Sequence, residues 1–420
     1  MSILLNRAVL LLLLLFSALA LIVPGLANAC LFLLALCGVA ALAGRVAIDG
    51  QCAWAICRRH WPLMLALALP LLAVVLHQIA AGDFHDRDID RPMRLALFGL
   101  VLAAVLSVPL RQLKWLPWAW MSAALLALGK AWWVTKGGSL PNTGSLGFMA
   151  AIAFSNMALL VGVWLLLARG LLHGRLARML ALLAVVLALA VTFMVKTRGT
   201  WLVLPFYAIF FVWYLRDLRW WQRVAIILLP LLMLGAAVHQ SSMVRERIYA
   251  VQSDLQQYAS GANRDTSVGQ RLEIWRASWQ MFIDHPLLGV GRQQFKPELY
   301  RLAAQGQVTS SIVELPHSHN GILFQMALWG SGGLLAQLLV YLVPFIYFLR
   351  SLRHPDAGVR RWAAMGAAMC IGFWVFDLTD VMFFWVMLNG FYAINLALFV
   401  SAIYQGRRAW QQSQGAIDLA

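Results

Sequence analysis

The chain has 420 residues, 62% hydrophobic and only 12% charged, with a mean hydropathy of +0.76 and a formal net charge of +16. A soluble domain cannot bury that much apolar surface, so the composition excludes an ordinary soluble enzyme. It points to an all-α polytopic membrane protein, in which each helix satisfies its own backbone polar groups. The positive charge lies between apolar runs, which reads as membrane topology and not as nucleic-acid binding.

Twelve apolar runs of spanning length are expected, near 8–24, 27–44, 62–80, 93–109, 116–134, 147–168, 178–195, 200–215, 222–238, 320–349, 362–380 and 382–404. The first follows a charged start at Arg7, as a cleaved leader would, but a second apolar run follows at once, so it reads as the first span. The run at 320–349 is long enough to tilt or to leave the bilayer. The five cysteines, Cys30, Cys37, Cys52, Cys57 and Cys370, lie in or beside apolar runs and read as small buried hydrophobes.

Short loops set the orientation. Those carrying Arg45, Arg58 and Arg59, then Arg111 and Lys114, then Arg169, Arg175 and Arg178, then Arg350, Arg353, Arg360 and Arg361 all fall on one side. That side is expected to be cytoplasmic and to hold both termini, in a bacterial inner membrane. Three sections follow: spans one to nine over 1–238, a polar periplasmic loop over 239–318, and spans ten to twelve with a cytoplasmic tail over 319–420. On the same outer side, "GDFHDRDIDRPMR" (82–94) alternates acids with His85, Arg87 and Arg91. It reads as a solvated loop, with a divalent-cation site as the lesser reading.

In the long loop, Val268, Leu272, Ile274, Trp275, Trp279 and Phe282 recur at helical spacing up to Pro286, as in an interfacial amphipathic helix. A helix also fits "SSMVRERIYAVQSDLQQYA", with a turn at "SGANRDTS" between the two.

Ionisable residues beside a membrane span are candidates for function. In "VKTRGTW", Lys196 and Arg198 sit in a turn of a few residues. They either snorkel to headgroups or face a ligand, which Gly199 would allow to approach the backbone. In "TSVGQRLEIWRASW", Arg271 near a helix start suits phosphate oxygens, whereas Glu273 and Arg276 fit the charged face of a surface helix. In "PHSHNG", His317 and His319 precede the tenth span. A neutral histidine there can accept a proton with Asn320 orienting its ring; alternatively Ser318 or Asn320 simply caps the helix. A metal is not expected, because histidines two apart do not share a helix face and no cysteine or carboxylate cluster joins them. Asp377 and Asp380, at the end of run eleven, either line the same cavity or mark a short turn.

Three of these elements occur in order: "KTRGTW", "SVGQRLEIWRASWQMFIDHPLLGVG" and "HSHNGILFQMALWGSGG". Together they resemble the O-antigen ligase family, whose superfamily also holds O-antigen polymerases and protein O-oligosaccharyltransferases. The pattern His-polar, nine residues, Gly-x-x-Gly is met by His319, Asn320, Gly330 and Gly333 and is the most specific part; His317 falls outside it. The resemblance implies transfer of a glycan from an undecaprenyl diphosphate carrier to a sugar hydroxyl of lipid A-core, with membrane lipids as the remaining partner. His319 would be the general base, and Arg198 and Arg271 would bind the donor diphosphate. His317, Asn320, Lys196, Gly199, Arg276, Asp377 and Asp380 would support them. Neither metal nor cofactor is implied, and no carboxylate pair suggests a covalent glycosyl-enzyme, so a single inverting displacement is expected. A transporter or flippase would instead show repeated halves, which are not apparent.

Overall fold

The structure is a computed structural model of the chain. It describes residues 2–44, 47–48, 51–136, 145–195, 197–215, 219–221, 224 and 252–417, with backbone alone at Arg198. Lys196 and, apart from residue 224, the expected span at 222–238 lie outside the described residues.

The N-terminal part runs α1 (Ser2–Leu19), α2 (Leu26–Ala43), α3 (Ala53–Arg59), α4 (Trp61–Ala81), α5 (Asp86–Ala96), α6 (Phe98–Val105), α7 (Leu116–Thr135), α8 (Ala151–Ala168), α9 (Arg175–Met194) and α10 (Leu204–Tyr214). The loop contributes α11 (Ser267–Asp284) and α12 (Arg292–Ala304), and the chain ends with α13 (Gly321–Ser351), α14 (Ala357–Phe376) and α15 (Val386–Ile417). Residues 252–260 are also helical, with a turn at Gly261 before α11. Three helices start on side-chain caps that accept an orphan backbone N–H: Thr266 from Gly269, Asn320 from Leu323 and Asp356 from Val359.

Six helices among the described residues are long and apolar enough to cross a membrane, or seven if the pair Asp86–Val105 and Leu110–Thr135, bent by 107°, counts as one span. The chain is thus a multi-pass α-helical protein. Of the other expected spans, those at 93–109 and 116–134 fall in this bent pair, those at 8–24 and 200–215 form the shorter apolar helices α1 and α10, and that at 362–380 forms α14.

The helices divide by burial. The apolar windows of α8 and α15 are about nine-tenths enclosed, whereas those of α4 and α9 are only one-third enclosed. Leu76 and Leu183 on the latter are exposed, as a lipid-facing surface requires. Trp164 of α8 anchors the centre. Its ring lies 5.5 Å from Trp120 and 5.3 Å from Phe399, and its indole N–H donates to the Met365 carbonyl. Trp120 is therefore a core residue, whereas Trp132 and Trp133 are exposed.

Two further expectations are corrected. The acidic stretch at 82–94 is not a solvated loop: it is largely helix α5, with Asp88 and Arg94 buried. Acids fill its first turn and Arg94 its last, matching the helix dipole, and Arg94 pairs with Asp90 one turn back. Asp88 pairs with Arg292 of α12 at 3.6 Å, so a protein cation answers the charge that suggested a metal. Among the cysteines, Cys30, Cys57 and Cys370 are buried, but Cys52 is exposed beside a two-residue hairpin.

A smaller core forms where the loop folds back. Ile274, Ala277 and Met281 of α11, with Phe295 and Leu299 of α12, pack on Phe324, Ala327 and Leu328 at the start of α13. This packing positions the site.

Candidate functional site

The stretch "HPLLGVG" and the Gly-x-x-Gly of α13 are partners in one backbone arrangement. The helix breaks at Gly330 (φ 60°, ψ −145°). The break removes donors that the Ala327 and Leu328 carbonyls would normally meet one turn later. Those carbonyls accept instead from Val290 and Gly291, each at 2.9 Å, and Ser331 N–H donates to the Pro286 carbonyl at 2.7 Å. No side chain fits between the two strands of backbone. A Cβ at Gly289 would sit 2.3 Å from the Leu328 carbonyl carbon, and one at Gly330 would sit 2.5 Å from that of Leu287. Both glycines also have positive φ.

This lock brings α11 over the histidines. Trp275 donates its indole N–H to the Ser318 carbonyl at 2.9 Å. Arg271 lies one turn earlier on the same face, half-buried, and among the described residues it has no hydrogen bond or ion pair. Its charge bears on both His319 and Asp380.

The "HSHN" turn is tightly organised. His319 has φ 51°, a left-handed conformation rare outside glycine and strained for a histidine. His317 Nδ1 accepts from the His319 backbone N–H at 3.2 Å. The His317 proton therefore sits on Nε2, which faces Asp380 Oδ1 at 3.9 Å. The two imidazoles lie 4.5 Å apart, edge to face. Burial pushes His317 down to about 3, with His319 and Arg292 adding to the effect, and it pushes His319 down to about 4, with Arg271 adding. Both are neutral at pH 7. His319 Nδ1 is buried without a hydrogen-bond partner among the described residues.

The remaining sequence candidates separate. Asn320 caps α13, its Oδ1 accepting from Leu323 N–H at 3.1 Å, so it does not orient the His319 ring. Asp377 is a structural hub. It accepts from Gln337 Nε2 at 2.6 Å and Met382 N–H at 2.8 Å, and its carbonyl accepts from Gly321 N–H at 2.8 Å. Only Asp380 of that pair reaches the histidines. Gly199 does not open the backbone to a ligand: a Cβ there would meet Thr379 Oγ1 at 2.8 Å. That contact sets the Arg198 backbone beside the turn that carries Asp380. Arg276 is exposed on another face of α11, and Glu273 is buried, bonded to the Tyr258 hydroxyl and the Thr309 N–H. Glu273 is a tie within the loop and not part of a solvated face.

Sequence spacing hid two features. His317, His319 and Asp380 bring one ligand atom each within 4.8 Å of one another, so a carboxylate does join the histidines, from 61 residues away along the chain. Two imidazoles and a carboxylate are a donor set that a first-row divalent metal accepts, although Arg271 beside them opposes a cation. Second, Arg91 of α5 and Arg292 of α12 both stack on the Phe384 ring, at 4.7 and 4.9 Å, and Phe384 in turn lies 4.8 Å from His317. Burial, with Arg91 beside it, pushes Arg292 down to about 10, while Asp88 works the other way. No local pattern could have announced either group, since the first draws on two separated segments and the second on three.

A broken helix clasped by a polar loop, with neutral histidines beside an arginine at the end of an apolar bundle, defines a multi-pass membrane protein with a built polar site. The family model for O-antigen ligase matches residues 183–338, from α9 through the loop to the first half of α13. The chain is similar to the O-antigen ligase family over this region, which contains Arg198, Arg271, His317 and His319. It is also similar to an uncharacterized protein of Haemophilus influenzae, at 22% identity over 274 residues, covering 63% of this chain and 67% of that protein.

Proposed function

We propose that the protein is an O-antigen ligase of the bacterial inner membrane. It transfers a glycan from undecaprenyl diphosphate to a sugar hydroxyl of lipid A-core at the periplasmic surface. The observation that carries the reading is His319: a neutral imidazole in a strained turn, with a buried ring nitrogen that lacks a partner among the described residues, beside the Arg271 guanidinium, which among those residues has no hydrogen bond or ion pair either. The family match supports the glycosyltransferase class.

In the reaction, His319 takes the proton of the acceptor hydroxyl as its oxygen attacks the anomeric carbon. The bond from that carbon to the diphosphate oxygen breaks, and the leaving group departs with the electron pair. Arg271, with Arg198 from the facing turn, balances the charge that develops there. One displacement inverts the anomeric centre. His317 is the positioning residue: it holds the His319 backbone through Nδ1 and faces Asp380 through Nε2. As the diphosphate approaches, it offsets the Arg271 charge that depresses His319, so the imidazole becomes a stronger base when substrate is bound.

An O-antigen polymerase or a protein O-oligosaccharyltransferase would use the same chemistry on another acceptor. Reconstituted protein given undecaprenyl-diphosphate glycan should form product only when lipid A-core is added. Glycan lengthening without it would replace the ligase reading by the polymerase one. Undiminished transfer in a chelator is expected; loss of transfer restored by a divalent ion would assign the His317–His319–Asp380 group to a metal.

A further inference from the structure

The end of α13 opposite the histidines carries a second charged site. From its break at Gly330 the helix runs on through 331–351, a rise of about 31 Å that matches the roughly 30 Å of a bilayer core. Its Ser351 end therefore lies at the other membrane face from Gly321.

Here α13 meets the start of α4 and the C-terminal part of α15 around a cleft of about 620 Å³. Four arginines line it: Arg59, Arg350, Arg407 and Arg408. Among the described residues no carboxylate does. Arg407 is fixed, donating to Ser351 Oγ at 2.7 Å and lying 5.9 Å over the Tyr347 ring, and its Nε is buried without a hydrogen-bond partner among the described residues. His60 stands edge-on to Tyr347 at 5.7 Å, forming a rigid polar floor. The wall toward the membrane is apolar, with Leu63, Val343 and the exposed Ile346. A basic mouth above an apolar wall matches one kind of occupant at this depth, a molecule with a phosphate at one end and acyl chains at the other.

We propose that this cleft binds the headgroup of an anionic phospholipid, with its phosphodiester among the four arginines and its chains along Leu63, Val343 and Ile346. The site is separate from glycan transfer and does not rest on that reading.

The full-length protein in a neutral detergent is tested with phosphatidylglycerol, with phosphatidylethanolamine and with inorganic phosphate. Bound lipid is counted by native mass spectrometry and the unfolding midpoint is followed. Phosphatidylglycerol should be retained and should raise the midpoint. Phosphatidylethanolamine should do so much more weakly and phosphate alone not at all. The double variant Arg59→Gln/Arg350→Gln removes two exposed side chains. It should weaken phosphatidylglycerol retention by about thirtyfold while leaving the lipid-free midpoint in place. Equal retention of the two lipids by the unaltered protein would overturn the proposal whether or not the variant folds. A phosphate effect equal to that of the lipid would reassign the cleft to a free anion, and unchanged retention by a folded double variant would equally refute the site.

Discussion

The two ends of α13 treat charge in opposite ways. At the Gly321 end, ionisable groups are few, buried and mutually constrained: His317 is locked between the His319 N–H and Asp380, and Asp377 is spent on Gln337, Met382 and Gly321. In the cleft at the Ser351 end, the charged side chains among the described residues are all arginines and mostly reach solvent. Burial lets the first set tune protonation and hold strain, which chemistry needs. Exposure leaves the second set a simple field, suited to binding an anion but not to activating it.

The largest effect should come from the first end. His319→Ala should reduce transfer by roughly two to four powers of ten, close to abolition, with donor binding largely kept, as read by single-turnover assay and by donor retention. Full activity in this variant would remove the base assignment. Arg271→Ala should cost about two to three powers of ten and should weaken donor binding too; a loss confined to acceptor KM would place Arg271 on the other substrate. Gly330→Ala forces a side chain into the Leu287 carbonyl and should cost about 1–3 kcal/mol of local stability, seen as faster proteolysis of the 252–318 loop with the bundle intact.

The pH dependence is a smaller test. His319 is ordinarily half-protonated near 6.5 and is held down to about 4 in the folded protein, first by burial and then by Arg271. The neutral base form therefore persists well below pH 6.5, and the acid limb of kcat/KM should fall nearer pH 4. In Arg271→Lys, which keeps the charge, the limb should stay in place. The same shift means that the unfolded chain binds protons first as pH drops, so stability should decline between about 6.5 and 4. The smallest effect should be that of Arg59→Gln/Arg350→Gln on glycan transfer. Initial rates within about twofold of the parent are expected in neutral detergent; a large loss would couple the two ends of α13.

Parts of this site were legible in the chain. The helix at 267–284 followed from apolar spacing, and the nine-residue gap from Asn320 to Gly330 singled out His319 over His317. Other parts were misread for one reason: local sequence carries no information on what a side chain meets across the fold. Gly199 looked open to a ligand and is filled by Thr379, and Glu273 looked solvated and is buried, whereas for Asn320 the capping reading was the one that held.

The sequence by itself determined that the chain is a multi-pass helical membrane protein and which family motifs it carries, because hydropathy, helix caps and glycine spacing act over a few turns. Only the tertiary structure decided that "HPLLGVG" stitches a broken helix, that Asp380 and not Asp377 stands by the histidines, and that four arginines from distant segments share one cleft. Those outcomes depend on contacts across tens to hundreds of residues, set by packing and by the need to satisfy each buried polar group.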